Sequence, residues 1–415
     1  MNVPKLRFKD YRDTSIKQMK FADILKEKTE GLKRGPFGGA LKKEFFAEQG
    51  YAVYEQRHAI YGNSENIRYF IGEDKFNELK SFEVLPNDII MSCSGTIGKL
   101  YKIPKGALPG VINQALVRFR VSENVFVDYF YYLMNSPVMQ RKILESNPGS
   151  AITNLIPVSE LKQIKVTIPQ VHEQMKIGNF FKCLDMKIHR QQEKMNLLKE
   201  QKKGYMQKIF KQEIRFKDDR GEEYPEWQTN KLLHYLFEHK IRNFEGIFSK
   251  EDVLSVSGDY GIINQIKFQG RSFAGESVAN YHVVHTGDIV YTKSPLKKNP
   301  YGIIKVNKGV DGIVSTLYAV YSCKENLKGE FLDYYFQLDD NTNSYLRPLV
   351  NKGAKNDMKV NNTTVLQGEI TIPSIQEQQK IIDLLSTFDK KIQREQQKLE
   401  DLQAQKKGYM QQMFI

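Results

Sequence analysis

Cysteine is scarce. Cys93, Cys183 and Cys323 stand far apart in 415 residues and form no C-x-x-C pair. That spacing argues against a disulfide framework and a cysteine-built zinc site, and it suits a reducing compartment. Long apolar runs are missing too: nothing approaches the roughly 20 residues needed to span a bilayer. The opening MNVPKLRFKDYRD has no apolar signal core. A cytoplasmic protein is the expectation.

Catalytic signatures are equally hard to find. GTIGK (Gly95–Lys99) is too short for a phosphate-cradling loop of the G-x-x-x-x-G-K-[ST] kind. No G-x-G-x-x-G opens a helix after a strand, so a dinucleotide site has no support. NPYG (Asn299–Gly302) resembles the Asn/Asp-Pro-Pro-Tyr/Phe loop of amino-methyltransferases but lacks its second proline. His282 and His285 form H-x-x-H, which needs further ligands before it can hold a metal. No metal site, no bound cofactor and no catalytic residue is expected in this chain. The rivals are an enzyme with its own methyltransferase or nuclease activity and a scaffold whose helices bind only protein.

What the chain does have is positive charge and a repeat. Its 62 Lys and Arg against 49 Asp and Glu give a formal net charge of +13. A basic surface gains affinity for polyanions by releasing counterions from phosphates. Hydrophobic residues at 40% are enough for real cores, and the length suggests two or more domains.

A shift of 204 lays Ile168–Phe210 on Ile372–Phe414 with 21 of 43 positions identical, including KKGYMQ at Lys202–Gln207 and Lys406–Gln411. Fainter matches pair Leu6–Tyr11 with Ile214–Asp219, Asn87–Ile90 with Gly287–Val290, and Phe126–Leu133 with Phe331–Leu338. The chain is a tandem duplication. It divides into a globular domain at 1–168, a helical segment at 169–210, a second globular domain at 211–372 and a second helical segment at 373–415. The globular parts have diverged and the helical segments have not.

Ile177, Phe181, Leu184, Ile188, Met195, Leu198, Tyr205 and Ile209 follow a 4-3 spacing, matched by Ile381, Leu385, Phe388, Ile392, Leu399, Leu402, Tyr409 and Met413. This is a heptad seam with polar gaps at Gln191, Lys202, Glu395 and Lys406. Ser374 and Glu377 read as a capping box. A helix over about 174–206 would be about 50 Å long. On B-DNA that equals roughly 15 base pairs, so a rigid rod could set the spacing of two contact sites. Gly204 and Gly408 each cost about 1 kcal/mol inside a helix, which points to a close approach by the other arm or a partner, or to a break shared by both helices.

The lysines cluster in segments rich in Gly, Pro, Ser and Asn, which read as loops. Gly31–Lys43 holds Lys33, Arg34, Lys42 and Lys43 without an acid; Ile289–Val310 holds Lys293, Lys297, Lys298, Lys305 and Lys308 without an acid; Arg347–Lys359 holds four cations against one aspartate. Such loops bring cations and backbone N–H groups to phosphates, while short polar side chains reach base edges.

Over its full length this pattern resembles the specificity subunit of type I restriction-modification systems. The residues that carry the resemblance are two divergent globular domains, each followed by a repeated helix with I-P-x-x-x-E-Q and K-K-G-Y-M-Q near its ends, together with GPFGG-x-L-K-K (Gly35–Lys43) and SGTIGK followed by Asn113 and Gln114. The second domain lacks the last two and has TKSPLKKNPYG (Thr292–Gly302) instead.

The resemblance implies an α/β fold with two pseudo-repeated target-recognition domains, separated by an antiparallel pair of long coiled-coil helices. Each domain would read one half of a bipartite, asymmetric duplex DNA target. Two methyltransferase subunits and two translocase-nuclease (restriction) subunits would be partners, with S-adenosylmethionine, ATP and Mg2+ serving those partners. In the first domain Lys33, Arg34, Lys42, Lys43 and Lys99 are expected on phosphates and Ser94, Thr96 and Gln114 near bases. In the second, Lys293, Lys297, Lys298, Lys352 and Lys355 are the phosphate candidates, and Asn299 and Asn356 the base candidates. Gly38, Gly39, Gly95 and Gly98 shape loops; Gly204, Tyr205, Gly408 and Tyr409 belong to the helical arms.

Overall fold

The structure is a computed structural model that describes residues 3–27, 30–146, 153–155, 157–293, 296–352 and 358–415. It forms two compact units, Met1–Gln192 with Gln397–Ile415, and Glu193–Gln396. Compactness thus groups the chain differently from its sequence repeats: each unit takes one globular part and a stretch of both long helices.

In the first unit an antiparallel sheet runs in the order Leu32–Arg34, Leu116–Phe119, Ile89–Ser92, Leu100–Lys102. Every residue of Leu116–Phe119 and Ile89–Ser92 is buried, as befits strands covered on both faces. One of them, Arg118, is charged: its guanidinium donates to the carbonyls of Glu83 and Glu30. One face packs on Phe21, Phe119 and Phe130 beneath the helix Val127–Asn135. On the other side a five-stranded mixed sheet includes Tyr51–Tyr54 beside Gly110–Ile112, paired in parallel.

The second unit repeats the four-stranded sheet as Leu236–Glu238, Tyr318–Cys323, Ile289–Thr292, Ile303–Val306. Where the first unit has its five-stranded sheet, the second has a hairpin, Leu254–Ser257 with Gly261–Asn264, and the pair His282–Val284 with Gly312–Val314. The fold class is α/β in both.

The long helices are Val171–Phe210 and Ile375–Met413. In the first unit they run antiparallel, with Phe180 against Tyr409, Phe181 against Phe414 and Lys406 Nζ 2.5 Å from Asp185. In the second, Tyr205 meets Phe388, Lys202 Nζ lies 2.6 Å from Asp389, and Lys194 Nζ lies 3.0 Å from Glu395.

The I-P-x-x-x-E-Q motif fastens each long helix to the globular part that precedes it. Glu173 accepts two bonds from Arg7, at 2.9 and 2.6 Å, and Glu377 accepts from Arg215 and from Trp227 Nε1. Gln174 accepts from Phe126 N–H and donates to Pro169 O; Gln378 does the same with Lys328 N–H and Pro373 O.

Three expectations change. The glutamine ties make Phe126 the counterpart of Lys328, so the alignment of Phe126 with Phe331 is three residues out, nearly one helical turn. Ser374 Oγ accepts from Glu377 N–H at 3.4 Å, but the Glu377 carboxylate is taken by Arg215 and Trp227, so the capping box is half made. Within KKGYMQ the buried positions are Lys202 and Met206, with Ile209 buried just after it, while Tyr205 is 42% exposed; the second copy likewise buries Met410 and leaves Tyr409 half-buried. Paired carboxylates let a lysine enter the seam, and the line therefore keeps helical spacing instead of jumping to tyrosine.

Candidate nucleic-acid interface

Antiparallel pairing puts the ends of Leu32–Arg34 and Ile89–Ser92 beside the start of Leu116–Phe119. Three connections therefore emerge at one end of the first unit's sheet. Gly35 N–H donates to Leu116 O, Cys93 N–H to Ala115 O, and Gly98 N–H to Ser92 O, each at 2.9 Å. Gly35 lies so close to the Asn113–Gln114 turn that a Cβ there would fall 1.8 Å from Asn113 O. Gly95 and Gly98, with φ of +63° and +82°, reverse the connection between strands. Ser92 Oγ accepts from Lys99 N–H at 3.1 Å and closes it.

Arg34, Ser94, Gly95, Thr96, Lys99 and Gln114 are exposed at this end, and Lys42 and Lys43 are exposed on the connection that follows Arg34. Gly38 and Gly39 lie in the short turn Gly38–Leu41 of that connection. Lys33 faces the other way, with its ammonium 4.7 Å from the centre of the Phe82 ring. Sequence reading missed Phe37, 70% exposed with the Arg34 guanidinium 5.1 Å from its ring. Its signal was an aromatic residue between glycines in a basic loop.

The second unit places the corresponding loops at the same end of its sheet. Lys297 and Lys298 are exposed; Lys293 is half-buried, and burial lowers its proton affinity against the pull of Glu238. Asn299 is buried, donates to Asp339 Oδ1 at 3.0 Å, and its carbonyl accepts from Leu296 and Gly302 N–H. That side chain holds the loop to the helix Asp339–Leu346. Lys305 lies on the strand Ile303–Val306 and is buried, not in a loop as the glycine-rich context suggested. Lys352 ends the strand Asn351–Lys352; Lys355 and Asn356 lie outside the described residues.

The turn Ser315–Leu317 was also missed. Tyr318 N–H donates to Ser315 O at 3.0 Å as Leu116 N–H donates to Asn113 O at 3.1 Å, which makes Thr316 the counterpart of Gln114. Leu317 is 67% exposed beside it. The turn carries no charge, so lysine clustering does not mark it in the sequence.

Among the described residues no three His, Cys, Asp or Glu side chains gather as a metal site. His285 Nδ1 is 2.8 Å from Asp311, and His282 is buried with its Nδ1 unpartnered. Among the described residues no helix is long and apolar enough to cross a membrane.

The family described as "Type I restriction modification DNA specificity domain" matches residues 37–200 and 236–404, one stretch in each repeat. The chain belongs to that family. Two relatives from Methanocaldococcus jannaschii agree in name. The putative type I restriction enzyme MjaX specificity subunit is 21% identical over 366 residues, 82% of this chain and 80% of the relative. The type I restriction enzyme MjaVIII specificity subunit is 22% identical over 365 residues, 84% of each. Two solved structures share the fold. The S subunit of the M. genitalium type I restriction-modification system has a TM-score of 0.55 at 14% identity, over 100% of this chain and 99% of that one. A chain from a study of complex assembly and conformational transition in a type I system has a TM-score of 0.54 at 12% identity, over 96% and 97%. As a type I specificity subunit, this chain is a non-catalytic component with two recognition domains.

Proposed function

We propose that each unit reads one half of a bipartite, asymmetric duplex target through the connections at the end of its four-stranded sheet. The observation that carries this is the shared scaffold with unlike contents: three convergent connections in each unit, SGTIGK and an Asn-Gln turn in one, a lysine-bearing loop and a Ser-Thr turn in the other. Lysines and Arg34 neutralise phosphates; Ser94, Thr96, Gln114 and Thr316 have the size and polarity to meet base edges.

The paired helices set the unspecified spacer and dock two methyltransferase subunits, and two restriction-translocase subunits complete the complex. S-adenosylmethionine, ATP and Mg2+ act in those partners. The name of the family and the presence of the repeated helices support this part of the reading.

The test is a binding series with the partner-loaded complex. Neutralising Lys297 and Lys298 together should weaken binding to all duplexes and lower the slope of log K against log salt by up to about 2, near 0.9 for each phosphate no longer neutralised. An unchanged slope would remove this loop from the interface. Methyl transfer by the purified chain alone would overturn the non-catalytic assignment, and a loaded complex with no sequence preference would favour a protein-only scaffold.

A further inference from the structure

We propose that the second unit holds a binding site for a phosphate-class oxyanion, built on Lys305. The residue sits in the strand Ile303–Val306 opposite Val290. Its neighbours Ile304 and Val306 face the main core, and Lys305 faces the opposite side of the sheet. It is only 8% exposed, yet among the described residues no hydrogen bond or ion pair reaches its ammonium. It lines a cavity of about 480 Å³ together with Lys199, Lys202, Lys308 and the hairpin turn Gly258–Gly261.

Three carboxylates line the cavity; Asp259 is exposed on the hairpin turn, and the other two are already committed. Asp333 holds Lys308 at 2.6 Å and accepts from Gln337 and from Val306 N–H. Asp389 holds Lys202 at 2.6 Å and accepts from Tyr334 OH at 2.7 Å. Lys305, and the exposed Lys199 at the edge of the cavity, are left unmatched. A lysine side chain that is mostly buried and makes no ion pair or hydrogen bond of its own has lost hydration without a full replacement, so an anion entering the cavity gains what the fold leaves unsatisfied. A phosphate group, with more charge and more acceptor oxygens than a carboxylate, can engage several ammonium groups at once.

The first unit lacks this arrangement. Tyr101 occupies the position of Lys305 and donates to Ser64 Oγ at 3.0 Å, so the same place is neutral and satisfied. The site is a property of one copy, and it does not depend on the assignment of the recognition loops. Burial also lowers the proton affinity of Lys305, although Asp333 opposes the shift. Its amine is therefore suited to chemical labelling.

The full-length chain can be acetylated with acetic anhydride at constant ionic strength and Lys305 modification read by mass spectrometry. The probes are inorganic phosphate, ATP and a duplex of arbitrary sequence, with chloride as the control. Saturable protection of Lys305 by phosphate or ATP, several-fold beyond chloride, is expected. Protection by duplex alone also supports phosphate chemistry and assigns its source to the DNA backbone. Lys305→Tyr, which installs the residue of the first unit, should abolish the phosphate-dependent rise in Tm, with Lys305→Met as the second variant. Protection no greater than with chloride, or an equal Tm response in a folded variant and the parent, overturns the proposal. Duplex preference measured in parallel reports separately on the recognition reading.

Discussion

The two units differ least where each long helix joins its globular part and most at the sheet end that carries the candidate DNA contacts. Arg7–Glu173 and Arg215–Glu377 repeat, as do the Gln174 and Gln378 ties and the Lys–Asp–Tyr sets Lys406–Asp185–Tyr132 and Lys202–Asp389–Tyr334. Each of these is a buried or half-buried polar contact that fails if one member changes alone. The exposed connections obey no such constraint. A duplicated scaffold can therefore keep its joints and exchange its reading surfaces.

The largest test of that comparison is to cut the joints. Arg7→Ala leaves Glu173, 1% exposed, without a charged donor and should cost about 3–5 kcal/mol of the first unit's stability. Arg215→Ala should cost about 1 kcal/mol less, because Trp227 Nε1 still donates to Glu377. Urea unfolding followed by hydrogen exchange in each unit measures both; equal losses would show that the tryptophan contributes nothing.

The seam lysines come next. Lys202→Ala should cost about 1–2 kcal/mol, since its side chain is 11% exposed, whereas Lys406→Ala, at 30%, should cost under about 1 kcal/mol. A reversed order in thermal unfolding would contradict the burial argument.

Gly204 and Gly408 show the opposite sign. A Cβ at either meets nothing within 4 Å among the described residues, so no close approach of the arms within the chain accounts for them. Alanine at each should raise stability by up to about 1 kcal/mol in the isolated chain. Weaker binding of partner subunits by the same variants would locate a docking contact there, and a drop in Tm would refute the open-space reading.

The smallest effect belongs to Asp311. Its hydrogen bond from His285, and then that from Thr286 N–H, hold its carboxyl below the ordinary value. A depressed folded value stabilises above the unfolded one and is lost as pH falls through the folded one. Acidification below about pH 4 should lower the urea midpoint of the parent slightly more than that of Asp311→Asn. Parallel titrations of the two would exclude the contact from the second unit's stability.

How much of this was legible depended on what each residue does. The repeat was plain because Glu173, Gln174, Lys202 and their copies make bonds that only those residue types can make. The loop geometry of the first unit's candidate interface was visible because a sharp reversal and a close approach demand Gly95, Gly98 and Gly35. The second was harder. Asn299 looked like a surface reader and is a buried tie, Lys305 looked like a loop lysine and lies in a strand, and Ser315–Leu317 has no charge to draw attention. Burial and strand pairing decide these cases, and both arise from contacts distant in sequence.

Met410, Met413 and Phe414 belong to the core that also contains Phe21, Phe119 and Phe181. A ribosome makes those first aromatic residues long before the last ones needed to cover them. The first unit is thus begun early and closed late, while every residue of Glu193–Gln396 becomes available in between. During synthesis the second unit can be finished first, and the earlier one must wait with part of its apolar surface uncovered.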